Sequence, residues 1–91
     1  MPAENKIRCA GVAYRQGFID VQANIHRGFI NVETWMINPD VRLEDVPDIV
    51  DPRINDSDVI GNTELELDFD QARALIFALQ SALSKINPCG K

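Results

Sequence analysis

Two stretches in the first half of the chain alternate apolar and polar residues with a period of two. Ile19, Val21, Ala23 and Ile25 alternate with Asp20, Gln22, Asn24 and His26; Ile30, Val32, Thr34 and Met36 alternate with Asn31, Glu33 and Trp35. Successive side chains on a strand point to opposite faces, so this spacing predicts two strands whose aliphatic positions line one buried face. Both strands open on an echo, since Gly17-Phe18-Ile19-Asp20-Val21 returns eleven residues later as Gly28-Phe29-Ile30-Asn31-Val32. Arg15-Gln16-Gly17 and His26-Arg27-Gly28 read as short turns closed by glycine, which supplies the positive φ that hairpin loops often require. An earlier strand around Ile7 to Tyr14 completes an antiparallel meander. Two copies of the echo fall short of the about three units that a stacked repeat needs.

Asn38-Pro39 ends this pattern, because proline offers no ladder donor and restricts the residue before it. Residues 39–61 have no period: Pro39, Pro47 and Pro52 break a mixture of acids with Val41, Leu43, Val46, Ile49, Val50, Ile54, Val59 and Ile60. Loops longer than about 12–15 residues without structure of their own are uncommon in a compact domain. The apolar residues therefore predict a segment that packs down, with one short helical turn near Leu43 to Val46.

Alternation returns at Thr63-Glu64-Leu65-Glu66-Leu67, a half-buried strand with two acids on its outer face. Asp68 then suits a helix N-cap and Gln71 completes a capping box, opening a helix over Phe69 to Ile86 that Asn87-Pro88 stops. Ala72, Leu75, Ile76, Leu79, Leu83 and Ile86 recur at three and four residue spacing, the stripe a helix buries. Phe77 points almost opposite that stripe, with Arg73, Ala74, Ser81 and Ser84 around it, and only Asp70, Arg73 and Lys85 are charged along the helix. A solvated face normally carries more charge, which makes the Phe77 surface a candidate contact for a partner or a second copy. The expected architecture is one α+β domain over residues 1–91: a meander of about four antiparallel strands packed against one C-terminal amphipathic helix, with an irregular acidic segment between strands three and four. Residues 1–5 and 88–91 are expected to be flexible tails.

Composition sharpens this picture at two points. The formal net charge of -5 is localised. Residues 40–70 carry eleven of the fourteen acids against Arg42 and Arg53, whereas residues 1–39 carry four basic and three acidic side chains. Such a block disfavours direct nucleic-acid binding, which depends on clustered Lys and Arg. No apolar run approaches the roughly 18 residues a membrane helix needs, and the start of the chain lacks an apolar signal segment, so a cytoplasmic protein without a membrane role is expected. Cys9 and Cys89 are then expected to be free thiols, Cys89 exposed in the tail.

The residue inventory offers little chemistry. His26 is the single histidine, falls at a predicted turn, and reads as an exposed loop residue. Cys9, His26 and Cys89 fit no zinc spacing. Asp56-Ser57-Asp58 begins like a calcium loop, but Ile60 and Leu67 stand where oxygen ligands belong. No glycine-rich phosphate loop occurs. Tyr14, Phe18, Phe29 and Trp35 sit on a nearly neutral sheet, which favours packing over base stacking. No cofactor, metal or catalytic residue is expected.

The leading expectation is a small, acidic, non-catalytic interaction or regulatory domain, such as an inhibitor, that self-associates or binds a protein through Phe77, Arg73, Ala74, Ser81 and Ser84. The strand, capped turn and helix of residues 62–86 resemble a pattern common in small bacterial and phage proteins, which would fit such a role. One alternative uses the acids of residues 40–70, with Asp45, Asp48, Asp51, Asp56 and Asp58 imitating a phosphate backbone to occupy a basic protein groove. Another is a small enzyme acting through His26 and carboxylates.

Overall fold

Four strands pair in sequence order, β1 (Lys6–Cys9), β2 (Gln16–Ala23), β3 (Ile30–Ile37) and β4 (Val59–Leu67), every neighbour antiparallel, and the chain then enters α1 (Phe69–Ile86). The computed structural model describes residues 5–12 and 14–86. Most of the expected tails, the Asn87-Pro88 stop and Cys89 lie outside the described residues. The α+β meander with one C-terminal helix is the architecture the alternation predicts.

Local chemistry sets the element ends. β2 stops at Ala23, three residues short of the alternating run, because Asn24 takes a positive φ of 63° and turns the chain; its side-chain oxygen accepts from the Gly28 amide at 3.1 Å. Gly28 itself has a φ of 84°, as its turn position predicts. Gly17 does not: it sits inside β2 opposite Met36, where the need is for close approach and not for a left-handed backbone. β1 is also shorter than expected, and the chain turns before Arg15, whose amide donates to the Val12 carbonyl at 3.1 Å. The helix start matches the capping box in detail: the Gln71 amide donates to Asp68 Oδ1 at 2.8 Å, and the Asp68 amide donates to Gln71 Oε1 at 2.9 Å.

The core lies on the side of the sheet that the alternation marks as outer. Phe18, Ile37, Leu43 and Val46 are its buried members, with Trp35, Val41, Ile49, Ile54 and Val59 packed around them. Phe18 and Trp35 are cross-strand partners, so the polar-looking phase of β2 and β3 is the one that builds the interior. Its other wall is the irregular segment 38–58, which packs down as its apolar residues predict. The turn near Leu43 to Val46 is a single hydrogen-bonded turn, Val46 amide to Leu43 carbonyl at 3.1 Å, and the helical turn falls later, as a 3-10 turn over Asp56–Asp58.

Polar groups fasten this segment to the sheet. Buried Gln16 donates from Nε2 to the carbonyls of Asn38 at 2.9 Å and Val41 at 2.7 Å, and Arg8 donates to the Val46 carbonyl at 3.1 Å. Lys6 bridges Asp48 at 3.2 Å and Asp20 at 3.8 Å. Local turn bonds pair some carbonyls of this segment, Asn38 with the Val41 amide at 3.0 Å among them, and Gln16 adds a second donor to Asn38 and one to Val41.

The expectation that α1 buries its stripe is not met. No helix residue is buried. The stripe lines one groove with the aliphatic face of the sheet but does not close on it, and Leu75, Ile76 and Leu79 stay 42–57% exposed. The radius of gyration, 14.7 Å, exceeds the about 12 Å of a compact chain of this length accordingly.

Candidate interaction surface

Strand register places Ile7 of β1, Ile19 and Val21 of β2, Ile30 and Val32 of β3, and Leu65 and Leu67 of β4 on the face away from the core. With Ala72, Leu75, Ile76 and Leu79 of α1, most of these residues line an almost wholly aliphatic groove of about 370 Å³. The hydroxyls of Thr34 and Thr63, 2.7 Å apart, satisfy each other on this face. Acids of the strands stand on the opposite side: Asp20, Glu33 and Glu64 are neighbours across β2, β3 and β4.

Much of this aliphatic surface is open. Ile7, Leu65, Leu75, Ile76, Leu79, Leu83 and Ile86 each keep between 42% and 73% of their area in solvent, together about four complete side chains. An exposed aliphatic surface of this extent, contiguous on one face, is more than isolated exposed residues make.

The residues singled out by sequence occupy the other side of α1. Phe77 is 74% exposed and lines a broad hollow with Asp70, Arg73, Ala74, Ile76 and Gln80. The Arg73 guanidinium lies 5.8 Å from the ring of Phe69, itself exposed. Ser84 donates to the Ser81 carbonyl at 2.7 Å, which leaves its hydroxyl engaged with the helix. Phe77, Arg73 and Ala74 come together as the helical spacing requires. The larger aliphatic surface, on the stripe and the sheet, was hidden from sequence reasoning because its alternation is that of a strand with a buried face.

The acidic residues named as a surface are mostly tied down. Arg53 pairs with Asp51 at 2.9 Å and Asp45 at 3.1 Å, Asp48 holds Lys6, and Asp58 accepts from the Asn55 amide at 3.0 Å; Asp56 is exposed. Hydrogen bonds from the Arg53 side chain, and then its backbone amide, hold the Asp51 carboxyl down at about 2 from the usual 3.8. The sign follows from that depression: the pair stabilises the fold above about pH 4, and the contribution is lost as pH falls through 4 toward 2. Asp51→Asn is expected to flatten the acid limb of a stability-against-pH curve in that window, read from urea midpoints; an unchanged limb would mean the pair does not form.

His26 is exposed, and its Nδ1 lies 2.6 Å from both carboxylate oxygens of Glu66 on β4. The hydrogen bond and charge of Glu66 raise the imidazole's pKa. Contacts of this kind tie the β2–β3 loop to the edge strand. Cys9 Sγ approaches the Ile7 carbonyl at 4.0 Å. Among the described residues no cluster of three or more His, Cys, Asp or Glu side chains is arranged to hold a metal, and no helix is long and apolar enough to cross a membrane.

No family model, no curated protein and no solved structure matches this chain. The surface itself therefore has to carry the functional reading.

Proposed function

We propose that this chain is a non-catalytic, self-associating interaction domain, in which a second copy covers the open aliphatic sheet face and the helix stripe. The observation that carries the reading is the contiguous aliphatic surface, equal to about four side chains, left open on one face of the sheet and on the helix stripe. Covering about four side chains in each of two copies returns about 12–24 kcal/mol, a range that lies mostly above the about 4–15 kcal/mol that association costs. The patch is also self-complementary in kind, since one chain supplies both a projecting apolar helix and an apolar groove. Segregation of the acids to the opposite side lets two copies of net charge -5 approach without opposing carboxylates. A small acidic domain of this design fits a regulatory or inhibitory role in the cytoplasm, with the Phe77 side of α1 left over for a protein partner.

Light scattering tests the reading. Leu79→Glu places a charge in the groove and is expected to halve the mass of the assembled protein, whereas Phe77→Glu, on the far side of the helix, is expected to leave it unchanged. Loss of assembly in Phe77→Glu with retention in Leu79→Glu would move the contact to the other face.

A further inference from the structure

The two edges of the sheet differ in a way that specifies how a second copy joins. β1 is four residues long and carries Lys6 and Arg8, devices that keep an edge from pairing. β4 is nine residues long, contains no lysine, arginine or proline, is regular over Gly61–Leu67 with its one bulge confined to the start between Val59 and Gly61, and among the described residues no backbone group other than those of β3 bonds Ile60–Leu67. An edge strand presents a row of unpaired amides and carbonyls, and an antiparallel ladder lets a strand pair with its own copy across a two-fold axis.

We infer that β4 pairs with β4 of a second copy, antiparallel and centred on Thr63, to make a continuous eight-stranded sheet with both helices on its aliphatic face. The register follows from charge. Paired residues share a face, so a strand that pairs with itself must centre on a residue. The bulge between Gly61 and Val59 confines a regular ladder to Gly61–Leu67, and centring on Thr63 overlaps Gly61–Leu65 and sets Glu64 opposite Asn62. Centring on Glu64, Leu65 or Glu66 sets acid directly against acid, which is destabilising, and centring on Asn62 overlaps only Gly61–Thr63. The Thr63 register also lays exposed Leu65 over Gly61, which has no side chain to obstruct it. A two-fold axis perpendicular to the sheet brings both aliphatic faces to one side, so that the apolar surface of one copy continues into that of the other across the β4 seam. This inference rests on the self-association proposed above and adds its geometry.

The test is oxidative cross-linking after replacement of both native cysteines, Cys9→Ser and Cys89→Ser. Light scattering first gives the mass of this parent protein and of each variant. Thr63→Cys is expected to convert most of the protein to a covalent dimer on a non-reducing gel, because directly opposed residues lie about 4.5–5.5 Å apart, within disulfide reach. Leu65→Cys is expected to give none, since the two copies of residue 65 are offset by four residues, about 13 Å along the strands. A mixture of Asn62→Cys and Glu64→Cys chains supplies a second opposed pair that leaves Thr63 intact and is expected to cross-link only as the mixture. A parent protein of dimeric mass in which neither opposed pair cross-links, or in which Leu65→Cys does, would overturn the β4 pairing and leave self-association standing. A parent of monomeric mass would overturn both.

Discussion

Leu43→Ala is expected to lower folding stability by about 2–5 kcal/mol, the range for truncating a fully buried leucine. Leu43 belongs to the irregular segment, is 2% exposed, and packs with Val46 against Phe18 and Ile37. A domain of this length holds about 5–14 kcal/mol in total, so the loss should appear as a fall of many degrees in the thermal midpoint. Val50→Ala, in the same segment but 79% exposed, is the matched control and should change little. Both are compared with wild type at one protein concentration, since association adds to the apparent stability. Equal, small effects for the two would mean that residues 38–58 do not form the wall of the core.

Gly17→Ala is expected to destabilise by at least the roughly 3 kcal/mol that marks the upper end for ordinary overpacked sites. A Cβ built on Gly17 would stand 1.8 Å from the Trp35 carbonyl oxygen and 2.9 Å from its carbon. These are backbone atoms of β3, so relief requires prying β2 from β3 beside the Phe18–Trp35 pair and not the rotation of a side chain. Gly11→Ala provides the contrast, because nothing lies within 4 Å of a Cβ there. Retained cooperative unfolding at the wild-type midpoint in Gly17→Ala would show that the strands do not approach this closely.

Sequence made the elements legible and hid how they are layered. The capping box of Asp68 and Gln71 is a local event, so the helix over Phe69–Ile86 could be read from spacing alone. The strands could be read from alternation for the same reason. Which face is interior is not local: β2 and β3 carry apolar residues in both phases, Phe18, Trp35 and Ile37 in one and Ile19, Val21, Ile30 and Val32 in the other. The smoother alternation marked the face that the single chain leaves open. The deciding partners, Leu43 and Val46, lie in a stretch whose lack of period conveys nothing about where it packs. Gly17 shows the same limit, since the echo with Gly28 gives the two glycines one context, while the fold uses one for close approach and the other for a φ of 84°.

Reading the surface had a similar boundary. Helical spacing correctly gathers Phe77, Arg73 and Ala74 on one side of α1. It could not show that the opposite stripe stays uncovered, because spacing along one helix does not record how closely that helix approaches the sheet. The acids of residues 40–70 looked like one block in sequence. In space Asp45, Asp48 and Asp51 are bound to Arg53 and Lys6, and their first effect is to pin the segment that builds the core.

Sedimentation equilibrium of the wild-type chain across the micromolar range tests the central claim most directly. Coverage of the aliphatic face by a second copy predicts a mass of twice the 10.2 kDa of one chain, falling toward the monomer only on dilution. A mass of 10.2 kDa at every concentration would contradict it.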